Sequence, residues 1–162
     1  MAKKRKKEET PGELLVCRLP KATKRYEIEE RFEAGIVLTG SEVKSMRQRR
    51  ADLDGAYASM RDGELWLHKM HIAPYEQAGP FGHEPRRSRK LLLNRSELKR
   101  MHGRLTTRGY TLVPLRAYFR DGWAKVEIGL GKGRKSGDRR EEIRRDTDLR
   151  EARAAMGQRR GR

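Results

Sequence analysis

Two Asp-Gly pairs constrain the fold of this chain more than any other feature. They stand at residues 62–63 and 121–122, each between two stretches rich in apolar residues. Aspartate followed by glycine tolerates the positive backbone dihedral angles of a tight β-turn, so each pair predicts an antiparallel hairpin. The four predicted strands cover residues 56–60, 64–72, 110–120 and 123–130. Pro114 cannot donate a hydrogen bond to a neighbouring strand, and it therefore predicts an edge or a bulge at its position.

Three more strands are predicted outside the hairpins. Apolar and charged residues alternate over residues 26–33, which is typical of a half-buried strand. The more apolar stretch 34–38 predicts a strand that is bent or bulged at Gly35. Leucines at 91–93 predict a short strand that leads directly into a helix.

Capping residues predict two short helices. Residues 39–41 offer oxygen atoms as caps before the segment 42–47, which has one apolar and one basic side. Asn94 and Glu97 have the spacing of a capping box, so a helix should begin at Asn94 and end near residue 103 or 109. Together the elements predict a mainly β protein with short helices, a small antiparallel β-barrel similar to the oligonucleotide-binding (OB) fold.

The two ends differ in composition from the centre. Residues 1–20 open with lysines and predict a disordered basic arm, whereas residues 21–133 are expected to form the barrel. The glycines and basic residues at 129–135 predict a flexible leader after the last strand. Residues 134–162 contain good helix formers but few large apolar side chains, so we expect a basic tail that is disordered when free and helical against a polyanion.

The net charge indicates the class of partner. The 162 residues include 40 Lys and Arg against 23 Asp and Glu, which gives a formal net charge of +17. A polyanion would remove the self-repulsion of such a chain, and nucleic acid is a better candidate than an anionic membrane. No apolar stretch approaches the length of a membrane span, and the first residues lack a secretion signal. We therefore expect a cytoplasmic protein with no membrane partner.

No group of residues predicts catalysis, a metal site or a cofactor. His68 and His71 fall on opposite faces of a predicted strand, which disfavours a shared metal ion. Cys17 is the single cysteine and has no nearby Cys or His partner. The acidic residues at 27–33 lack an accompanying phosphate-binding loop or nucleophile–base pair. We expect a monomeric protein that is not an enzyme.

Two sets of residues have the chemistry to contact RNA. Glu33 lies beside Gly35 in a basic chain, and its carboxylate could accept hydrogen bonds from a base edge. Tyr75, Phe81 and His83 lie near arginines in the loop 74–88, which suits stacking on unpaired bases. The same aromatic residues could instead clamp the loop onto the barrel, and the sequence leaves both alternatives open.

Five ordered motifs resemble those of a known family. They are FEAGIVLTGSEVKSMR, LHKMHIAPYEQ, RRSRKLLLNRSELKRM, YTLVPLRAYFRDGWAKVEIGLGKGRK and DRREEIRRD. In this order and at these separations, residues 21–156 are similar to the small protein B family, the SsrA-binding proteins of bacteria. The resemblance implies an OB-fold barrel that binds the tRNA-like domain of transfer-messenger RNA (tmRNA). It further implies that the protein brings this RNA to ribosomes stalled without a stop codon.

The resemblance also implies which residues contact tmRNA. The acid that contacts RNA in the family falls on Glu33, and the leucine and asparagine of the KLLLN segment fall on Leu92 and Asn94. With the basic side chains near them, the predicted tmRNA-binding residues are Glu33, Lys44, Arg47, Arg89, Lys90, Leu92 and Asn94.

A second predicted site lies in the tail, which the resemblance places in the empty messenger channel against small-subunit ribosomal RNA. Its predicted contact residues are Lys132, Gly133, Arg134, Lys135, Asp138, Arg139, Arg140, Ile143 and Met156. Gly137 stands where the family often carries a histidine or an aromatic residue, and Ala155 stands where it tends to have a bulky apolar one. Three other classes stay open, namely a structural ribosomal protein, an RNA-processing enzyme and a nonspecific nucleic-acid binder.

Overall fold

The computed structural model of the chain describes residues 11–134 and 136–159, and within the last helix it describes the side chains of residues 140 and 143–156. The strands are β1 (Glu13–Arg18), β2 (Tyr26–Ile36), β3 (Ala51–Asp52), β4 (Tyr57–Arg61), β5 (Glu64–His68), β6 (His71–Ile72), β7 (Arg89–Leu92), β8 (Tyr110–Arg120) and β9 (Trp123–Gly133). The helices are α1 (Pro20–Arg25), α2 (Gly40–Arg47), α3 (Arg95–Leu105) and α4 (Ser136–Arg159), with 3-10 turns over Glu76–Phe81 that are broken at Gly79. The predicted mainly β class is confirmed.

Six strands close into an antiparallel ring in the order β8-β4-β5-β7-β2-β9, and β9 pairs back with β8. The edge of β8 that does not face β9 pairs with β4 near one end of the strand and with β1 near the other. Strands β3 and β6 form a separate two-stranded ladder. Closure pairs the edges of the ring, and the inward side chains form one core. Its fully buried members include Ala34, Leu65, Leu67, Ile128 and Leu130.

Both predicted hairpin turns are confirmed, but the single strand predicted over residues 64–72 is wrong beyond His68, because residues 71–72 form β6 and pair with β3 in the separate ladder. The φ angles are 52° and 75° at residues 62–63, and 51° and 82° at residues 121–122. Two successive positive values suit a two-residue turn whose twist matches that of the flanking strands. The β8–β9 ladder shifts register between Pro114 and Arg116, so the bulge predicted at the proline is also present.

Both predicted helix starts are confirmed as well. The backbone N–H of Thr39 donates to the Glu42 carboxylate at 2.9 Å, and α2 begins at the next residue. The backbone N–H of Asn94 donates to Glu97 at 3.4 Å, and α3 begins at Arg95. In each helix a glutamate in the first turn satisfies a backbone donor that has no partner within the helix.

Regular secondary structure begins earlier in the chain than predicted. Residues 13–18 form β1, which pairs with β8, and Pro20 starts α1. The prediction of a disordered arm over residues 1–20 is therefore wrong from residue 13 onward, while residues 1–10 lie outside the described residues. Val16 is buried in the core, and the free half of the β8 edge supplies the hydrogen-bond partners that order this segment.

Strand β2 runs unbroken to Ile36, so the two strands predicted over residues 26–38 are one strand. Its register with β9 shifts between Ile28 and Glu30, and the bulge predicted at Gly35 is wrong. Gly35 pairs on both sides, with Leu92 of β7 and with β9. Continuous pairing on both edges leaves no place for an extra residue there.

Strand β9 continues through the glycine-rich stretch that predicted a flexible leader. Lys132 pairs with Glu27 of β2, and Gly133 also pairs with β2. A Cβ atom at Gly131 would lie 2.0 Å from the carbonyl oxygen of Glu27, so only glycine fits this contact. The prediction that the strand ends at residue 130 is wrong because these glycines permit a close approach of two strands.

Residues 136–159 form the helix α4, where the sequence predicted disorder in the free chain. Three large apolar side chains in its described part stay exposed, Ile143 at 58%, Leu149 at 56% and Met156 at 72%. Such exposure agrees with the prediction that this segment has no apolar face to bury, and it leaves local helix propensity as the main source of order. None of the helices in the described parts of the chain is long and apolar enough to cross a membrane.

Candidate nucleic-acid interface

Strand register brings three of the predicted RNA-binding residues to one outer surface. Along β2 the neighbours at 32, 34 and 36 are buried inside the ring, so Glu33 and Gly35 face outward. Leu92 pairs with Gly35, and its Cβ atom lies 3.5 Å from the place where a Cβ of residue 35 would be. Because the two strands are antiparallel, the same register carries Asn94 toward Glu33. We call Glu33, Leu92 and Asn94 the β2–β7 patch.

The β2–β7 patch combines an apolar side chain with a neutral amide and a charged carboxylate. The Leu92 side chain is 54% exposed, and Asn94 is exposed where α3 begins. A leucine side chain can pack on a base or sugar, while an amide and a carboxylate can bond to base edges.

Glu33 is already engaged within the protein. Its carboxylate accepts a hydrogen bond from the Tyr118 hydroxyl at 2.5 Å and pairs with the guanidinium of Arg120. Burial, together with the hydrogen bond that the hydroxyl donates to Glu33, raises the pKa of Tyr118 above its usual value. The phenol therefore stays protonated and keeps donating. This pairing links the β2–β7 patch to β8.

Helix α2 presents two of the predicted basic residues to solvent. Lys44 and Arg47 are exposed, and each lies near an aromatic ring, Lys44 Nζ at 5.3 Å from the centroid of Tyr75 and the Arg47 guanidinium at 5.0 Å from that of Phe119. Cation–π contacts of this kind restrict long side chains without neutralising them. Both cations remain available to phosphates.

Arg89 does not contribute to an RNA-binding surface, because its side chain is fully buried at 0% exposure. Its Nε donates to Glu42 at 2.7 Å, and its Nη atoms donate to the carbonyl oxygens of Met70, Pro85 and Arg87. The prediction that Arg89 contacts tmRNA is therefore wrong in this structure. It faces inward because alternation along β7 places it with Leu91 on the core side of the ring.

Glu42 is the partner that permits an arginine to be buried there. Its two carboxylate oxygens also accept from Arg87, at 2.8 Å and 2.6 Å. Burial by itself raises the pKa of Glu42, but hydrogen bonds from Arg87, the Thr39 N–H and Arg89 outweigh it, so the pKa lies below its ordinary value. The charged cluster of Glu42, Arg87 and Arg89 joins α2 to β7 and to the loop before it.

In the loop 74–88, one ring holds the loop onto the barrel and another is exposed to solvent, so each of the two alternatives left open by the sequence applies to part of the loop. His83 clamps the loop, since one ring nitrogen lies 2.8 Å from Ser41 Oγ and the other 3.0 Å from the carbonyl oxygen of Ile72. Phe81, by contrast, is 89% exposed. Tyr75 lies between these cases, under the amine of Lys44.

Lys90 and His68 have ordinary side-chain partners. The Lys90 amine lies 2.5 Å from Glu64 in a partly exposed ion pair, so only part of this cation faces solvent. His68 bonds to Ser59 and Ser88, each at 2.8 Å. Among the described residues no group of His, Cys, Asp or Glu side chains could hold a metal ion.

The predicted ribosome-contact residues fall on two elements. Lys132 and Gly133 are exposed at the end of β9, and the Lys132 amine lies 4.6 Å from the ring centroid of Tyr110. Arg134 follows them, and its N–H donates to the carbonyl oxygen of Arg25 at 2.9 Å. Arg140, Ile143 and Met156 are exposed on α4. Lys135 and the side chains of Asp138 and Arg139 lie outside the described residues.

The buried cluster of Glu42, Arg87 and Arg89 was only weakly predictable from the sequence. The capping spacing of Thr39 and Glu42 predicts the acid at a helix start, but nothing local predicts that arginines 45 and 47 residues away meet it. The pairing of Glu33 with Tyr118 and Arg120 is likewise a contact between distant strands. Only the order of strands in the ring brings either set together.

Known proteins match this chain over most of its length. The family model described as SmpB protein matches residues 16–158. The SsrA-binding protein of Geobacter metallireducens is 48% identical over 91% of this chain and 97% of its own. That of Desulforudis audaxviator is 49% identical over 90% of this chain and 95% of its own. The SsrA-binding protein of Trichormus variabilis is 53% identical over 81% of this chain and 85% of its own.

The architecture also matches a solved structure. A chain from the structure described as "tmRNA-SmpB: a journey to the center of the bacterial ribosome" aligns with a TM-score of 0.62 at 47% identity, over 74% of this chain and 85% of that one. The family resemblance predicted from the five sequence motifs is thereby confirmed. Sequence, family model and three-dimensional alignment agree that the chain belongs to the SmpB family of SsrA-binding proteins.

Proposed function

We propose that this protein binds the tRNA-like domain of tmRNA and delivers it to stalled ribosomes, as a binding protein and not as an enzyme. Family membership carries the proposal, because relatives named SsrA-binding proteins align along 81–91% of the chain. The formal net charge of +17 supports it, since a chain of this charge gains affinity for RNA by releasing counterions.

In this proposal the barrel holds the RNA. The β2–β7 patch would read unpaired nucleotides, and Lys44 and Arg47 of α2 would meet phosphates beside it. Exposure of Leu92 and Asn94 and the fixed register between β2 and β7 support this division. Lys90 would contribute partially, since Glu64 pairs with it. Folded RNA suits a rigid surface because its loops present bases and phosphates at set positions.

The tail has a separate role in the proposal. We infer that residues 134–162 enter the empty messenger channel and lie there as a helix, in place of the missing mRNA. Arg140, Ile143 and Met156 are exposed and free to contact ribosomal RNA. Glycine at 137 and alanine at 155 would contribute less to such contacts than the larger residues that the family resemblance implies at these positions. A role on the ribosome makes the cytoplasm the place of action, and the protein would act there as a single chain.

The test of the barrel's role is an Asn94→Ser substitution. Serine keeps an oxygen that can cap α3, so the fold should be retained, but it lacks the amide. We expect the dissociation constant for the transcribed tRNA-like domain to rise on the order of tenfold, the size of a bidentate base contact. A gel-shift titration measures it, and an unchanged thermal midpoint controls for folding. Unaltered affinity would remove Asn94 from the interface.

Competing functions give different results in the same preparation. Sequencing the RNA that co-purifies with the tagged protein should return one dominant transcript. Recovery of bulk tRNA and fragments, displaced by DNA at moderate salt, would indicate nonspecific binding. Stoichiometric presence in vacant ribosomes would indicate a structural ribosomal protein, and cleavage of the bound RNA would indicate an enzyme.

A further inference from the structure

Trp123 is the most exposed of the large hydrophobic residues on the strands of the ring. Its side chain is 73% exposed at the first position of β9, immediately after the turn at 121–122. Indole is a large apolar group with a flat face, and proteins place it at contact surfaces more often than on bare surface. Trp123 is not part of the core, so its ring is available for a contact outside the chain.

The residues around Trp123 form an ordered outer surface. On β8 and β9, alternate positions face outward, and the register pairs Arg120 with Trp123 and Tyr118 with Lys125. We call Arg116, Arg120, Trp123 and Lys125, together with the Tyr118 ring that the two arginines cover and that is itself only 1% exposed, the hairpin face. The guanidinium groups of Arg116 and Arg120 lie 4.5 Å and 5.2 Å from the ring centroid of Tyr118.

Acids from two other strands hold these guanidinium groups in place. Glu13 of β1 pairs with Arg116 and also with Arg120, the latter at 3.1 Å. Glu33 of β2 pairs with Arg120. About a third of each arginine side chain remains exposed, 34% and 35%. Cations fixed in this way lose little conformational entropy when they meet a ligand.

The hairpin face continues the β2–β7 patch. Glu33 belongs to that patch, and its carboxylate bonds to Tyr118 and Arg120 of the hairpin face. Lys125 pairs with Gly35, the residue over which Leu92 lies. An RNA chain bound at the patch would therefore reach the hairpin face without crossing a gap.

Charge and ring chemistry decide which ligand fits. The surface carries Arg31, Arg116, Arg120 and Lys125 against Glu13, Glu33, Glu127 and Asp121, so cations and carboxylates are equal in number. The arginines are the more accessible groups, however, since their side chains are 34–56% exposed while those of Glu13 and Glu127 are 3% and 10% exposed. A flat indole beside fixed cations matches an unpaired base and its phosphates. An apolar protein segment would have to remove water from these ion pairs, which is unfavourable.

We propose that the hairpin face is a second RNA-contact surface, on which an unpaired base of the tRNA-like domain stacks on the Trp123 indole while Arg120 and Lys125 meet the adjoining phosphates. The inference rests on the proposed function and deepens it by naming a stacking site for that same RNA. In this arrangement Glu33 positions Arg120, in addition to any contact of its own with the RNA.

The first test compares Trp123→Ala with Trp123→Phe in the full-length protein. Loss of one base stack corresponds to a rise in dissociation constant of about five- to a hundredfold. We expect this rise for the alanine variant in gel shifts with the transcribed tRNA-like domain, and a rise of less than about threefold for phenylalanine, which keeps a flat ring. Tyr57→Ala, which removes a partly exposed ring on β4, a strand that pairs with neither β2 nor β9, should leave the affinity unchanged.

The second test uses fluorescence to detect stacking directly. Trp66 is the other tryptophan of the chain, so a Trp66→Phe variant makes Trp123 the only indole reporter. Titration with the same RNA should quench its emission with the midpoint found in gel shifts and should reduce its accessibility to acrylamide. Unchanged emission at saturating RNA would overturn the stacking proposal.

The outcomes separate the inference from the proposed function. If Trp123→Ala binds the tRNA-like domain within about twofold of the unchanged protein while Asn94→Ser binds weakly, the hairpin face is not an RNA surface and the proposed function stands. If Trp123→Ala loses only ribosome-dependent activity, the partner is a ribosomal component and the inference is overturned. If the unchanged protein shows no preference for this RNA, both are overturned.

Discussion

The ring of strands and helix α4 differ in what holds each of them in shape. In the ring, outward residues such as Glu33 and Leu92 occupy fixed positions because every strand is paired and its inward neighbours are buried. In α4, Ile143 and Leu149 remain more than half exposed, so the helix depends on its own residues. A surface that must match a folded RNA needs the first kind of order. A segment that enters a preformed channel can use the second, because the channel itself restricts it.

Deleting residues 138–162 is the strongest test of this difference. The ring does not need the tail, so the thermal midpoint should stay the same and the affinity for the tRNA-like domain should fall by less than about threefold. Tagging of stalled chains should be abolished. The small loss of affinity reflects removed positive charge, and it should vanish at higher salt. A loss of more than tenfold at moderate salt would show that the tail binds the RNA and would end the division of roles.

Glu42→Gln should give the largest loss of stability from a single substitution. Glu42 and Arg89 are both fully buried at 0% exposure, and loss of the carboxylate charge leaves the arginine charge uncompensated. Removing one member of such a pair costs roughly 3 to 5 kcal/mol. Chemical denaturation measures it. The matched control is Glu64→Gln, which breaks the partly exposed pair with Lys90 and should cost less than about 1 kcal/mol.

Glu42 of this cluster and Glu127, which pairs with Arg31 and Arg116 elsewhere on the ring, predict how stability depends on pH. The pKa values of Glu42 and Glu127 lie below their ordinary value of 4.5, because hydrogen bonds from arginines outweigh the effect of burial. The unfolded chain therefore binds more protons than the folded one near this pH, and the free energy of unfolding rises with pH. The stabilisation is complete above about pH 5 and is lost as the pH falls through 4.5 and below. Glu42→Gln should flatten this slope, whereas an unchanged slope would exclude Glu42 as its source.

Gly131→Ala should destabilise the ring by a smaller amount. The new Cβ would lie 2.0 Å from the Glu27 carbonyl oxygen, so β2 and β9 must move apart. Overpacking of this kind costs about 1 to 3 kcal/mol. Gly133→Ala is the control, since a Cβ there meets nothing within 4 Å. Equal thermal midpoints for the two variants would mean that the strands adjust freely at the closure.

Local sequence predicted the parts of the fold that local chemistry decides. The Asp-Gly turns, the helix caps at Thr39 and Asn94, and the bulge at Pro114 each follow from a residue and its near neighbours. The motifs likewise predicted Leu92 and Asn94 as candidates, and the structure leaves both side chains exposed. These features need no knowledge of which strand lies beside which.

Contacts between distant strands explain the predictions that were wrong. Arg89 is basic and stands in a basic run, yet the β7 register turns it inward toward Glu42, 47 residues away. Gly131 has the composition of a flexible leader, but its closeness to Glu27 requires a strand. Segment 13–18 is ordered by an edge of β8 that lies about a hundred residues further along. Composition alone does not determine these pairings.

The same leucine-to-alanine change made once on α4 and once on β9 compares the tail helix with the ring of strands most directly. Leu149→Ala on α4 should change the free energy of unfolding by less than about 0.5 kcal/mol, because the side chain is 56% exposed and alanine favours a helix at least as well. Leu130→Ala on β9 makes the same chemical change at a fully buried position and should cost about 2 to 5 kcal/mol. Denaturant unfolding of both variants measures the contrast. A cost above 1 kcal/mol at Leu149 would mean that α4 packs on another surface in solution, and the tail would then share the order of the ring.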